Sequence, residues 1–149
     1  MPSIDKELKS RFESEQQKAM LNVLFTANWL RSGQVAQFKP YGISPQQYNI
    51  LRILRGASDR MKMHHVKERM IDRAPNATRL TDKLIAKGLV ERERCEEDRR
   101  VVYVRISAKG LELLVRIDEQ VASDMRKLMK RITQKDAAVV NEVLDRMRG

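Results

Sequence analysis

A mainly α-helical fold carrying one small β-hairpin is predicted for this chain by three observations. Apolar residues recur at helical spacing through most of its 149 residues. The spacing switches to alternation once, after Gly88, over LVERER and VVYVRI. Ser44, Ser107 and Thr133 stand where helices should begin, each with the side-chain oxygen an N-cap needs.

From the N-terminus, Ile4, Leu8, Phe12, Met20, Leu24, Ala27 and Leu30 predict one long amphipathic helix, broken over 33–42 by Gly33, Pro40 and Gly42. The next start is strongly marked. Ser44 caps, Pro45 suits the first helical position, Gln47 completes a capping box, and Ile43 and Tyr48 are placed to staple the entry, with Gly56 as the stop. A short helix over 63–70, MHHVKERM, is followed by the connector IDRAP and a second helix, NATRLTDKLIAK, ending at Gly88. Two short helices across a tight turn make a helix-turn-helix. The turn Asp72-Arg73-Ala74-Pro75 has no Ser or Thr beside Pro75, so the residue that opens the second helix is not marked.

CEEDRR forms the turn of the hairpin, the wing of a winged helix-turn-helix over 43–106. Ser107 then opens a helix running to about Arg131, with Leu111, Leu114, Val121, Met125, Leu128 and Ile132 expected on one side. Thr133 and Asp136 open the last helix, which carries Val140, Val143, Leu144 and Met147. The whole chain, 1–149, is expected to be one domain. Its flanks, 1–40 and 107–149, show apolar faces that so small a centre cannot cover, so they are expected to cover each other in a homodimer.

Composition narrows the function. Lys and Arg number 30 against 20 Asp and Glu, a formal net charge of +10, and the surplus is spread along the chain rather than gathered in a tail. Such a surplus attracts polyanions, nucleic acid first among them, by releasing their counterions. Only 5% of residues are aromatic, which disfavours stacking on single-stranded bases. The start, MPSIDKELKSRFESEQ, lacks an apolar run of signal-peptide length and no apolar run is long enough for a membrane span, so a cytoplasmic protein without a membrane partner is expected.

Catalysis and cofactors find no support. There is no Gly-rich phosphate loop and no nucleophile motif, so the chain is read as not an enzyme. Cys95 is the one cysteine, which excludes an internal disulfide and a multi-cysteine zinc site. His64 and His65 are consecutive, about 100° apart on a helix, and cannot share a metal as residues i and i+4 can. No metal and no cofactor are expected.

Double-stranded DNA is the expected partner. In the second helix of the helix-turn-helix, Ala77, Leu80, Leu84 and Ile85 make an inward stripe, leaving Asn76, Thr78, Arg79 and Lys83 to reach a major groove. Arg can pair both acceptors on a guanine edge, Asn can pair adenine, and Thr or Lys can hold phosphate. At the hairpin turn, Arg99 and Arg100 can reach phosphates or a minor groove, with Asp98 able to hold one of them. Exposed Arg and Lys on an isolated helix would be only a solvated face. The short helix before and the hairpin after are what give these positions their meaning.

The run TRLTDKLIAKGLVERERCEEDRRVVYVRISAKG resembles the stretch from recognition helix through wing of the MarR family of transcriptional regulators. The resemblance rests on Thr78-Arg79, the spacing of Leu80 and Leu84, Lys87-Gly88-Leu89-Val90, Arg92, Asp98-Arg99 and the entry from Ser107 to Gly110. It implies a homodimer whose terminal helices intertwine and whose two winged helices read successive major grooves of a near-palindrome. It also implies a repressor released by a small-molecule effector, often aromatic, bound between the dimer and DNA-binding regions. Trp29 and Tyr48, with Tyr41 nearby, are the aromatic residues for such a pocket. The cysteine near the first helix that serves redox sensing in some members is absent; Cys95 lies beside the wing. The alternative reading is a winged-helix protein-interaction module without sequence-specific DNA binding.

Overall fold

The computed structural model describes residues 2–73 and 76–149. In chain order its helices are α1 (Ile4–Leu8), α2 (Glu15–Phe38), α3 (Pro45–Gly56), α4 (Met63–Arg69), α5 (Ala77–Ala86), α6 (Ala108–Met129) and α7 (Gln134–Arg148). Three strands, β1 (Met61–Lys62), β2 (Val90–Arg94) and β3 (Val102–Ile106), form one antiparallel sheet in the order β1-β3-β2.

The N-terminal third departs from expectation twice. The long first helix is two helices, because Lys9 adopts a left-handed conformation (φ 48°) at the end of α1 and Ser14 starts α2 afresh by accepting from the Gln17 N–H. The expected break at Gly33 does not occur, and α2 runs on to Phe38. One interior glycine costs a helix about 1 kcal/mol, less than interrupting the hydrogen-bond ladder would. The stop comes at the 3-10 turn Lys39–Tyr41, where Pro40 has no N–H to continue the ladder and Gly42 closes the turn at φ 70°.

From Ser44 onward the elements follow their start signals. The Ser44 hydroxyl accepts from the Gln47 N–H at 3.1 Å while the Gln47 side chain accepts from the Ser44 N–H at 3.0 Å, so the capping box is complete. Thr133 and Asp136 build the same box at the start of α7. The hairpin pairs Arg92 with Val104, and β1 adds a third strand by pairing Met61 with that same Val104. Two residues are too few to show alternation, so β1 was invisible as a strand pattern.

The core lies beneath this sheet, where Ile50, Leu51 and Leu54 of α3, Val66 of α4, Leu84 of α5 and Val104 of β3 are all fully or almost fully buried. α6 joins it through Leu113, Leu114 and Ile117. The stripe expected on α6 is thereby corrected: Leu114 is buried, but Leu111 and Met125 point to solvent. The helix has two apolar faces about a third of a turn apart, one packed on its own core and one, through Leu111, Val115, Met125 and Met129, uncovered.

Candidate nucleic-acid interface

α5 is oriented by the side it buries. Ala77, Thr81 and Leu84 are buried and Leu80 and Ile85 half-buried, while Asn76, Thr78, Arg79 and Lys83 are exposed on the remaining surface. Thr81 belongs to the inward stripe although it is polar, because its hydroxyl donates to the Ala77 carbonyl at 2.9 Å and so leaves no unsatisfied group. Gln47, also buried, donates to the Leu80 carbonyl at 3.4 Å and ties α3 to α5. Asn76 precedes α5 without a side-chain cap bond. Ala74 and Pro75, on which the expectation of an unmarked helix start partly rests, lie outside the described residues.

Beyond α5 the chain turns at Gly88 (φ 72°) into the wing. Arg92 of β2 reaches back to Asp82 of α5 at 3.1 Å, linking wing and helix on the exposed side. On the outer face of the sheet, Arg60 pairs with Glu93 at 2.7 Å and lies 4.3 Å from the Tyr103 ring centre, and Arg105 pairs with Glu91 at 2.7 Å. Exposed pairs contribute little stability singly. Their consequence is that Arg60 beside β1 and the wing's Arg92 and Arg105 are already engaged.

The turn itself separates the two arginines expected there. Asp98 accepts from both the backbone N–H and the Nε of Arg100, at 3.0 and 3.2 Å, so the carboxylate holds Arg100. Arg99 is exposed and forms no ion pair among the described residues, as is true of Arg79 and Lys83. Cys95 is half-buried where β2 enters the turn, its N–H donating to the Val101 carbonyl.

Between α4, α5 and the wing lies an open cleft of about 310 Å³, lined among others by Lys62, His64, Lys67, Thr78, Arg92 and Arg100. Thr78 and Arg100 were expected at a DNA surface; Lys62, His64 and Lys67 were not. The available signal was the i, i+3 spacing of His64 and Lys67, which puts both on one side of a short helix.

The two aromatic residues expected to share an effector pocket are not brought together. Tyr48 is buried against Phe38, ring centres 4.3 Å apart, and borders a hollow of about 200 Å³ with Arg31, Gln34, Asn49, Arg52 and Ile71. Burial pushes the Tyr48 phenol above its ordinary pKa, with Arg52 opposing. Trp29 is partly exposed in a different hollow, with Ile4, Phe25, Leu128 and Ile132. The separation follows from helical geometry, since Trp29 and the α2 residues that line the Tyr48 hollow, Arg31 and Val35, leave the helix in different directions. Among the described residues no group of His, Cys, Asp or Glu is placed to hold a metal ion, and no helix is long and apolar enough to cross a membrane.

The family model for the MarR family matches residues 43–102, from the residue before Ser44 into β3. A MarR transcription factor from Planctomyces limnophilus is 33% identical, the alignment covering 93% of this chain and 98% of that one with a TM-score of 0.70. The chain belongs to the MarR family. The transcriptional regulator MhqR of Bacillus subtilis is 24% identical over 72% of this chain and 73% of its own length. A mutant MarR from E. coli, solved with operator DNA, shares the fold at a TM-score of 0.73 and 21% identity, covering 98% of this chain and 99% of that one. This MarR-family chain is therefore a winged-helix transcriptional regulator, of a family whose members are not enzymes.

Proposed function

We propose that the chain is a cytoplasmic, sequence-specific repressor that binds double-stranded DNA as a homodimer and is released by a small-molecule effector. The observation that carries this reading is the outward face of α5: Asn76, Thr78, Arg79 and Lys83 are exposed beside a wing whose Arg99 is unengaged, while most neighbouring arginines are tied into pairs. Groups able to read base edges stand on the helix, and groups suited to the backbone stand on the wing. A mutant MarR from E. coli with the same fold was solved with operator DNA, which supports DNA as the partner.

Residues 43–106 form the DNA-binding region on this reading, and 1–40 with 107–149 the dimerisation region, within one domain over 1–149. Leu24 of α2, Val115 and Met129 of α6 and Val140 of α7 are each more than half exposed in the single chain. Apolar surface left open on so many elements is what a partner copy covers. The effector would enter beside Tyr48, where Arg31 and Arg52 outnumber Asp72 and favour an anionic compound; the Trp29 hollow, in the helical flank, is the second candidate.

A footprint on the DNA upstream of the chain's own gene, against mixed-sequence duplex at physiological salt, tests the reading. Protection of a near-palindrome with half-sites about one helical turn apart is expected. Equal, weak affinity for every duplex would instead favour a protein-interaction module.

A further inference from the structure

The winged-helix reading uses α5 and the wing tip, but it leaves unexplained a titratable side chain placed between them. His64 is exposed on the first turn of α4 and lines the cleft that Thr78 and Arg100 also line. The groups that face it are Lys62 from β1, His65 and Lys67 from α4, Asp82 from α5, Arg92 from β2 and Arg100 from the wing turn. Asp82 is already engaged by Arg92 and Asp98 by Arg100, while Glu68 stands one turn beyond His64 on α4. Lys62 of β1 and Lys67 of α4 are then the cations of the cleft that form no ion pair among the described residues.

We propose that this cleft seats a phosphate of the DNA backbone and that His64 makes the contact proton-dependent. The proposal rests on the DNA-binding reading and extends it to a residue on another helix. When α5 lies in a major groove, the adjoining backbone strand runs along the groove edge between α4 and the wing. A phosphodiester there meets Lys62 and Lys67 at any pH. Imidazole is the side chain whose ordinary titration falls between pH 5 and 8. In its protonated form it donates from both ring nitrogens and adds a charge-assisted contact to a phosphate oxygen; in its neutral form it adds at most one ordinary hydrogen bond.

The direction follows by linkage. If the bound complex favours the protonated ring, binding takes up a proton, and affinity rises as the pH falls. For one group the gain is bounded at tenfold per pH unit, and roughly three- to tenfold between pH 7.5 and 5.5 is expected. One further phosphate contact also steepens the salt dependence of log K by about 0.9 at the acidic end.

A phosphate contact carries no base information, so a short mixed-sequence duplex at low salt is a sufficient probe. Its affinity for the full-length chain and for the His64→Gln and His65→Gln variants is measured by fluorescence anisotropy from pH 5.5 to 8, at several salt concentrations. Both histidines are exposed, so thermal melts of the variants should match the wild type and exclude misfolding. The expected result is tighter binding at low pH for the wild type and for His65→Gln, and a flattened profile with a shallower acidic salt slope for His64→Gln. A flat wild-type profile, or a pH dependence that survives in His64→Gln, would overturn the proposal while leaving the DNA-binding reading intact. No binding to any duplex at any pH would overturn both.

Discussion

At the residue scale the interface divides between groups that are free and groups that are held. Arg79 is exposed on α5 with no acidic partner, so Arg79→Ala is expected to cost roughly 1–3 kcal/mol on a specific site and to relax base preference. Arg99→Ala, at the wing, should weaken binding to all duplexes alike and lower the salt slope by about one contact. Competition titrations with specific and mixed-sequence DNA distinguish the two, and an Arg79→Ala protein with unchanged discrimination would remove Arg79 from base readout. Gly110 is constrained differently. A Cβ placed there would lie 2.3 Å from the Leu89 carbonyl oxygen and 2.7 Å from Ile106 Cγ1, because the first turn of α6 packs directly onto the ends of β2 and β3. Backbone cannot rotate aside as a flexible side chain can, so Gly110→Ala should destabilise the fold by about 1–3 kcal/mol or more, read as a drop in melting temperature.

At the scale of elements, what was legible was what local chemistry decides. Ser44 with Gln47, Ser107, and Thr133 with Asp136 opened α3, α6 and α7 where their side chains said they would. The inward stripe of α5 and the hairpin were equally plain, since both follow a period. The split between α1 and α2 was not, because it rests on a left-handed Lys9, a residue type without preference for that conformation. Nor was β1, whose two residues are strand only because Val104 lies beside them. The directions of Trp29 and Tyr48 depended on how α2 meets α3, a tertiary fact with no local signal. The cap of α7 carries a pH signature. Asp136 accepts from both the Thr133 N–H and hydroxyl, and the hydroxyl bond first, then the backbone one, hold its carboxyl below the ordinary value of 3.8. A lowered folded pKa gives stability that is present above 3.8 and disappears as the pH falls through the folded value. Wild type should therefore out-melt Asp136→Asn at neutral pH, and the gap should close in acid; a constant gap would mean the charge plays no part.

At the scale of the whole molecule, the single chain exposes 11236 Å². A compact globule of 17.4 kDa would expose about 7900 Å². The excess sits with the uncovered faces of α2, α6 and α7, which is why a homodimer is expected to be the stable species. Its melting temperature should then rise with protein concentration, and Val115→Glu should abolish that dependence; a concentration-independent melt of the wild type would argue for a stable monomer. The short strand β1 bears on a different question. It runs straight into α4 and is hydrogen-bonded to β3, so the helix-turn-helix and the wing are riveted into one piece. On the DNA-binding reading such a reader works as a caliper of fixed gap: the interval between groove and wing contacts is set in the protein, and the duplex must bend or narrow to meet it. The energy of that deformation depends on base steps the protein never touches. Operators for this chain should therefore be selected partly for pliability, with sequence preferences appearing in stretches where no side chain reaches.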